Sequence, residues 1–93
     1  MTEGIERLIE KAAAELKAAG ARQVYVFGSA ARGKLRENSD LDLAVSGLAP
    51  ESFYRTLARV TDILDLPVDL IDLDEDSAFA QYLKSEGELR RVG

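Results

Sequence analysis

The sequence has no cysteine and no histidine. Without cysteine there is no disulfide and no thiolate metal site. Without histidine there is no imidazole ligand and no imidazole base. Any hydrolytic or transfer chemistry must rest on carboxylates, hydroxyls, lysine, arginine or a metal ion. Positive charge is also short: 12 Lys and Arg against 17 Asp and Glu leave a formal net charge of −5. A domain that grips duplex nucleic acid by its backbone is normally basic, so the balance argues against bulk nucleic acid as a partner. A nucleotide escorted by metal is still compatible with it. Apolar runs are only a few residues long, far short of a membrane span. The N-terminus, MTEGIERLIE, is acidic and amphipathic, unlike a signal peptide. A cytoplasmic location with no membrane partner is the expectation.

What is present suits a globular protein. Hydrophobic residues make up 46% and charged residues 31% of 93 residues, which is enough for one compact domain over residues 1–93 with one core. Ile5, Leu8, Ile9, Ala12, Leu16 and Ala19 recur at helical spacing and predict a helix from Glu3 to Ala19, with Thr2 as its cap and Gly20 as its stop. Gln23 to Phe27 is β-branched and aromatic and reads as a strand. Ser29 to Arg32 reads as a short helical turn and Gly33 to Ser39 as a polar loop. Asp40 to Val45 alternates, with Asp40, Asp42 and Ala44 on one face and Leu41, Leu43 and Val45 on the other. Pro50 opens a helix with a stripe of Phe53, Leu57, Val60 and Leu64. Val68 to Asp72 reads as a third strand and Ser77 to Glu86 as a last helix. Asp74, Glu75 and Asp76 before that helix suit its dipole and are given no catalytic role. Gly87 ends the helix, and the tail from Glu88 is expected to fray. The order α-β-α-β-α-β-α predicts an α/β (α+β) fold with a small mixed β-sheet and flanking helices.

One stretch poses a choice. GSAARGKL has Gly28, four residues, Gly33 and Lys34, which nearly spells a P-loop. Leu35 then stands where a metal-ligating hydroxyl is required, and a polar turn and strand follow instead of a helix. The glycine therefore belongs to another design. Gly28 lets the backbone approach a phosphate closely, and the following amides and the Ser29 hydroxyl can donate to phosphate oxygens. Asp40 and Asp42 are two apart in a strand, about 7 Å at the backbone and on one face. Such carboxylates raise each other's pKa, and a divalent cation removes that penalty. Mg²⁺ takes one or two carboxylates, phosphate oxygens and waters. A third acid is wanted on the neighbouring strand. Asp69 is preferred, its apolar neighbours Val68 and Leu70 suggesting partial burial. Asp72 is the alternative, nearer the strand end and on the other side.

GSAARG, ten residues from Ser29 to the D-x-D of SDLDLAV, and then VDLIDL form a specific constellation over most of the chain. It resembles the nucleotidyltransferase superfamily that includes DNA polymerase beta and kanamycin nucleotidyltransferase, and in size the minimal nucleotidyltransferase (MNT) group. The resemblance implies that Gly28 and Ser29 hold the β- and γ-phosphates of a nucleoside triphosphate. It implies that Asp40, Asp42 and Asp69 ligate two Mg²⁺ ions, with Asp69 near the attacking hydroxyl. Arg32 is implied to contact phosphate, and Lys34 with less support. Ala30 departs from the basic or bulkier residue common after the serine, which puts the strength of triphosphate binding in question. The implied reaction transfers nucleoside monophosphate, with ATP as the default substrate and pyrophosphate leaving.

Larger relatives carry extra domains for the acceptor, so the acceptor is expected on another polypeptide. MNT proteins resemble antitoxins paired with HEPN-domain toxins, which implies a protein hydroxyl on a HEPN partner, a hetero-oligomer, and room for a homo-oligomer. Two other readings stay open. One is a binding-only antitoxin that masks its toxin. The other is a small-molecule nucleotidyltransferase subunit acting on a cationic antibiotic. Tyr54, Phe79 and Tyr82 are read either as core or as an interface.

Overall fold

The computed structural model describes residues 2–32 and 40–93. The loop expected at 33–39, with Lys34 and Leu35, lies outside the described residues. Helix α1 (Thr2–Ala18) begins one residue before the expected start, so Thr2 is its first residue. It ends in a Schellman motif: Gly20, at φ +114°, donates to the Lys17 carbonyl, and Ala21 donates to that of Leu16. Then follow β1 (Gln23–Val26), a 3₁₀ turn (Gly28–Arg32), β2 (Leu41–Ser46), α2 (Pro50–Leu64), β3 (Val68–Asp72), α3 (Ala78–Glu86) and β4 (Arg90–Val92). Ser77 caps α3, its side chain accepting from the Ala80 N–H at 3.1 Å.

The four strands form one mixed sheet in the order β3-β2-β1-β4. β1 pairs antiparallel with both β2 and β4, and β2 pairs parallel with β3. The parallel pair needs a crossover, and α2 supplies it. Fold class follows expectation: helices plus a four-stranded mixed sheet, α+β.

β4 corrects the expected frayed tail. Val24, Tyr25 and Val26 of β1 pair with Val92, Arg91 and Arg90. Val92 packs on the main core and Leu89 on a smaller one. Arg90 pairs with Glu6 at 2.9 Å, and Lys17 donates to the Gly93 carbonyl. A bare β1 edge would leave unpaired backbone groups, and β4 covers it.

Period-two alternation sorts the strands onto two faces. Val24, Val26, Leu41, Leu43, Val45 and Leu70 join Ile5, Ile9, Leu16, Val60 and Leu64 in the core beneath α1 and α2. On the opposite face, Phe27, Ala44 and Leu73 meet Leu83 of α3. The α2 stripe is shifted slightly: Thr56 is buried, while Phe53 and Leu57 are partly exposed. Tyr54, Phe79 and Tyr82 all lie exposed. Among the described residues no helix is long and apolar enough to cross a membrane.

Candidate active site

The site grows from the end of β1. Beyond Val26 the pairing with β2 continues for one residue, the Phe27 N–H donating to the Asp42 carbonyl at 3.0 Å. Gly28 then takes φ +68° and swings the chain into the 3₁₀ turn. Only glycine enters that region without steric cost. Glycine is needed there for a second reason. A Cβ on Gly28 would overlap the Asp42 carboxylate, lying 3.2 Å from its Cγ and closer still to Oδ2. The turn and the carboxylate are thus fitted to each other.

Asp42 and Asp69 are direct partners in the parallel ladder. In-register neighbours on parallel strands point to the same face, which here is the face of Ala44 and α3. Asp40 lies exposed just before β2. Burial pushes the Asp42 carboxyl above its usual value of 3.8, and the charges of Asp69 and then Asp40 push it the same way. Asp42 therefore senses both of its acidic neighbours and is the most deeply set of the three.

Asp69 corrects one expectation, for it is exposed. Its apolar neighbours Val68 and Leu70 alternate to the other face and give it no cover, and β3 is an edge strand. Asp72 stands in register with Val45, three residues on from Asp69 and so on the opposite face. Its Oδ1 accepts from the Asp74 N–H at 2.9 Å. Asp74 in turn accepts from the Gly47 N–H at 2.6 Å, and Asp76 from the Gln81 amide at 2.6 Å. This acidic run secures turns.

Ser29 lies in the 3₁₀ turn directly after Gly28. Ala30 is 1% exposed and belongs to the core beneath the turn. A bulkier or basic residue at that position would have to displace core side chains. Arg32 closes the turn and pairs with Glu88 at 3.4 Å, both side chains well exposed. Glu88 was invisible as a partner in the sequence, because 56 residues separate the two.

Among the described residues no group of three or more acidic side chains is already arranged to hold a metal ion. The donor chemistry nonetheless fits Mg²⁺, which is satisfied by one or two carboxylates with waters and phosphate oxygens. Asp42 and Asp69 are hard oxygen donors on adjacent strands, and the Asp42 carboxyl, raised by burial first and then by Asp69 and Asp40, carries a penalty on its charge that a cation would relieve. A groove of about 770 Å³ lined by Tyr54, Leu57, Thr61 and Leu66 lies on the flank of α2 and includes none of these acids.

The family model for "Polymerase beta, Nucleotidyltransferase" matches residues 9–89. No curated protein matches. Among solved structures, one attributed to a minimal nucleotidyltransferase is 30% identical with a TM-score of 0.70, the match covering 89% of this chain and 92% of that one. A toxin–antitoxin complex crystallised with AMP-PNP is 29% identical with a TM-score of 0.68, covering 90% of this chain and 70% of that one. A complex of tri-AMPylated Shewanella oneidensis HEPN toxin with MNT antitoxin is 25% identical with a TM-score of 0.63, covering 96% and 71%.

Proposed function

Since the chain belongs to the polymerase beta nucleotidyltransferase family, we propose that it transfers AMP from ATP to a hydroxyl of a partner protein, a HEPN-type toxin, and so acts as the antitoxin of the pair. The observation that carries this reading is the pairing of Asp42 with Asp69 beside the Gly28 turn. The similarity to toxin–antitoxin complexes, one holding AMP-PNP and one a tri-AMPylated toxin, supports both the nucleotide and the partner.

In this reading the backbone of Gly28 and Ser29 receives the β- and γ-phosphates, and Arg32 supplies positive charge at the end of the turn. Asp40, Asp42 and Asp69 would hold Mg²⁺, which when bound would offset their mutual repulsion and the phosphate charge. Asp69, solvent-facing and next to Asp42, would accept the proton of the attacking hydroxyl. The acceptor oxygen forms a bond to the α-phosphorus, the bond to pyrophosphate breaks, and the proton passes to the carboxylate. The protein's contribution is positioning and charge stabilisation. No step needs an imidazole, which this chain lacks.

The test is transfer of label from α-labelled ATP to a co-purified HEPN partner in the presence of Mg²⁺. Label should appear on the partner and be lost in Asp40→Ala and Asp42→Ala. If both variants neutralise the toxin as well as the native protein does, masking by binding alone is the antitoxin mechanism and the transfer reading falls.

A further inference from the structure

The aromatic side chains left outside the core are unevenly placed. Tyr54 stands on α2 with only Phe53 edge-on beside it at 5.2 Å. Phe79 and Tyr82 stand together on α3, their rings 6.4 Å apart and 17° from parallel. They are 48% and 53% exposed. Helix α3 turns Ala80 and Leu83 into the fold, which leaves residues 79 and 82 as neighbours one turn apart on its flank. Leaving two adjacent rings in water forgoes stabilisation that burial would give.

Their position indicates what they serve. Phe79 meets Phe27 edge-to-face at 6.2 Å. Phe27 immediately precedes Gly28 and is bonded across the sheet to Asp42. Past the other end of α3, Glu88 reaches Arg32, the last residue of the Gly28 turn. The segment Phe27–Arg32 is thus touched from the start of α3 by Phe79 and from just past its end by Glu88, and Tyr82 stacks beside the first of these contacts. The other aromatics near the turn are committed elsewhere: Phe27 is buried, and the Tyr25 hydroxyl donates to Gln23 Oε1 at 2.7 Å.

We propose that Phe79 and Tyr82 form the stacking surface for the base of the nucleoside triphosphate. This rests on the nucleotide reading above, which sets the phosphates on the Gly28–Arg32 turn. A π face accepts any planar base and reads no hydrogen-bonding edge. The surface therefore favours purines, with their larger rings, over pyrimidines and separates adenine from guanine poorly. An uncharged base also suits this rim, because it adds no charge beside three carboxylates.

Calorimetric binding of ATP and of inorganic tripolyphosphate, both with Mg²⁺, tests the proposal. Tyr82→Leu and Phe79→Leu should each weaken ATP about tenfold and leave tripolyphosphate unchanged. Tyr82→Trp should retain ATP affinity, and its indole emission should change on ATP addition, the native chain having no tryptophan. Leucine at 79 keeps an apolar contact for Phe27, and Tyr82 is exposed, so thermal melts should show both leucine variants folded. If the native protein binds both ligands and the leucine variants bind ATP normally, the stacking surface is wrong and the phosphate site stands. Equal loss of both ligands would make the rings structural and overturn the proposal. Unchanged ATP affinity with lost capture of the partner would assign the rings to the protein interface instead. If the native protein binds neither ligand, the phosphate site and the stacking surface both fall.

Discussion

Asp42 and Asp69 stand opposite one another in the β2–β3 ladder, one half-buried and the other open to solvent. The half-buried member bears the cost. Its carboxyl is raised above 3.8 by burial first, then by Asp69 and Asp40.

That shift fixes the sign of a pH effect. Between the unfolded and the raised folded pKa, the folded state binds more protons. Stability is therefore greatest below the ordinary value of 3.8 and falls as pH rises through the folded value. Asp42→Asn should raise the thermal midpoint of the metal-free protein at neutral pH. The gain should be below about 1 kcal/mol, because solvent screens a partly exposed group. It should shrink as pH falls toward 3.8, as scanning calorimetry across the acid range can check. A lower midpoint for the variant at pH 7 contradicts this account.

Cation binding should reverse the order of the two proteins. With a non-hydrolysable ATP analogue present, Mg²⁺ should stabilise the native chain through linkage, by about 2.7 kcal/mol at a hundred times its dissociation constant. Asp42→Asn should gain much less, and a chelator should return each protein to its starting midpoint. Equal stabilisation of both by Mg²⁺ would place the cation somewhere other than Asp42.

Gly28→Ala carries two costs that a double-mutant cycle can separate. The left-handed backbone at φ +68° costs a non-glycine residue about 1–2 kcal/mol. The added methyl also collides with the Asp42 carboxylate. In an Asp42→Gly background only the backbone cost should remain, so the two changes should be non-additive in chemical denaturation. Additive losses would mean that the carboxylate simply moves aside.

What the sequence could reveal follows from how local each signal is. The bounds of β3, the opening of α2 at Pro50 and the end of α3 at Gly87 rest on residues within one or two positions of the feature. The pairing of Asp42 with Asp69 depends on strand register, and two acids placed alike in successive apolar strands connected by a helix suggest it. β4 has no such signal. Arg90, Arg91 and Val92 lack a pattern of their own, and only the open edge of β1 makes them a strand. Asp69 looked covered because its neighbours are apolar, yet in a strand those neighbours belong to the other face. The exposure of Phe79 and Tyr82 depends on which side of α3 meets the sheet, and α3 is short enough for either packing to fit its pattern.

Arg32 and Glu88 offer the sharpest separation of structural from binding roles. Their pair is 3.4 Å long and both side chains are more than two-thirds exposed. Such pairs contribute little to stability, so Arg32→Gln and Glu88→Gln should each leave the unfolding free energy within about 0.5 kcal/mol of native. Their effects on ATP should be opposite. Glu88 competes with phosphate for the same guanidinium, so removing its charge should tighten ATP and removing Arg32 should loosen it, each by several-fold. Raising salt should narrow both differences, because the charges are exposed to screening. Calorimetric titrations at low and high salt would check this, and the two variants weakening ATP alike would show that the pair serves to hold α3 against the turn.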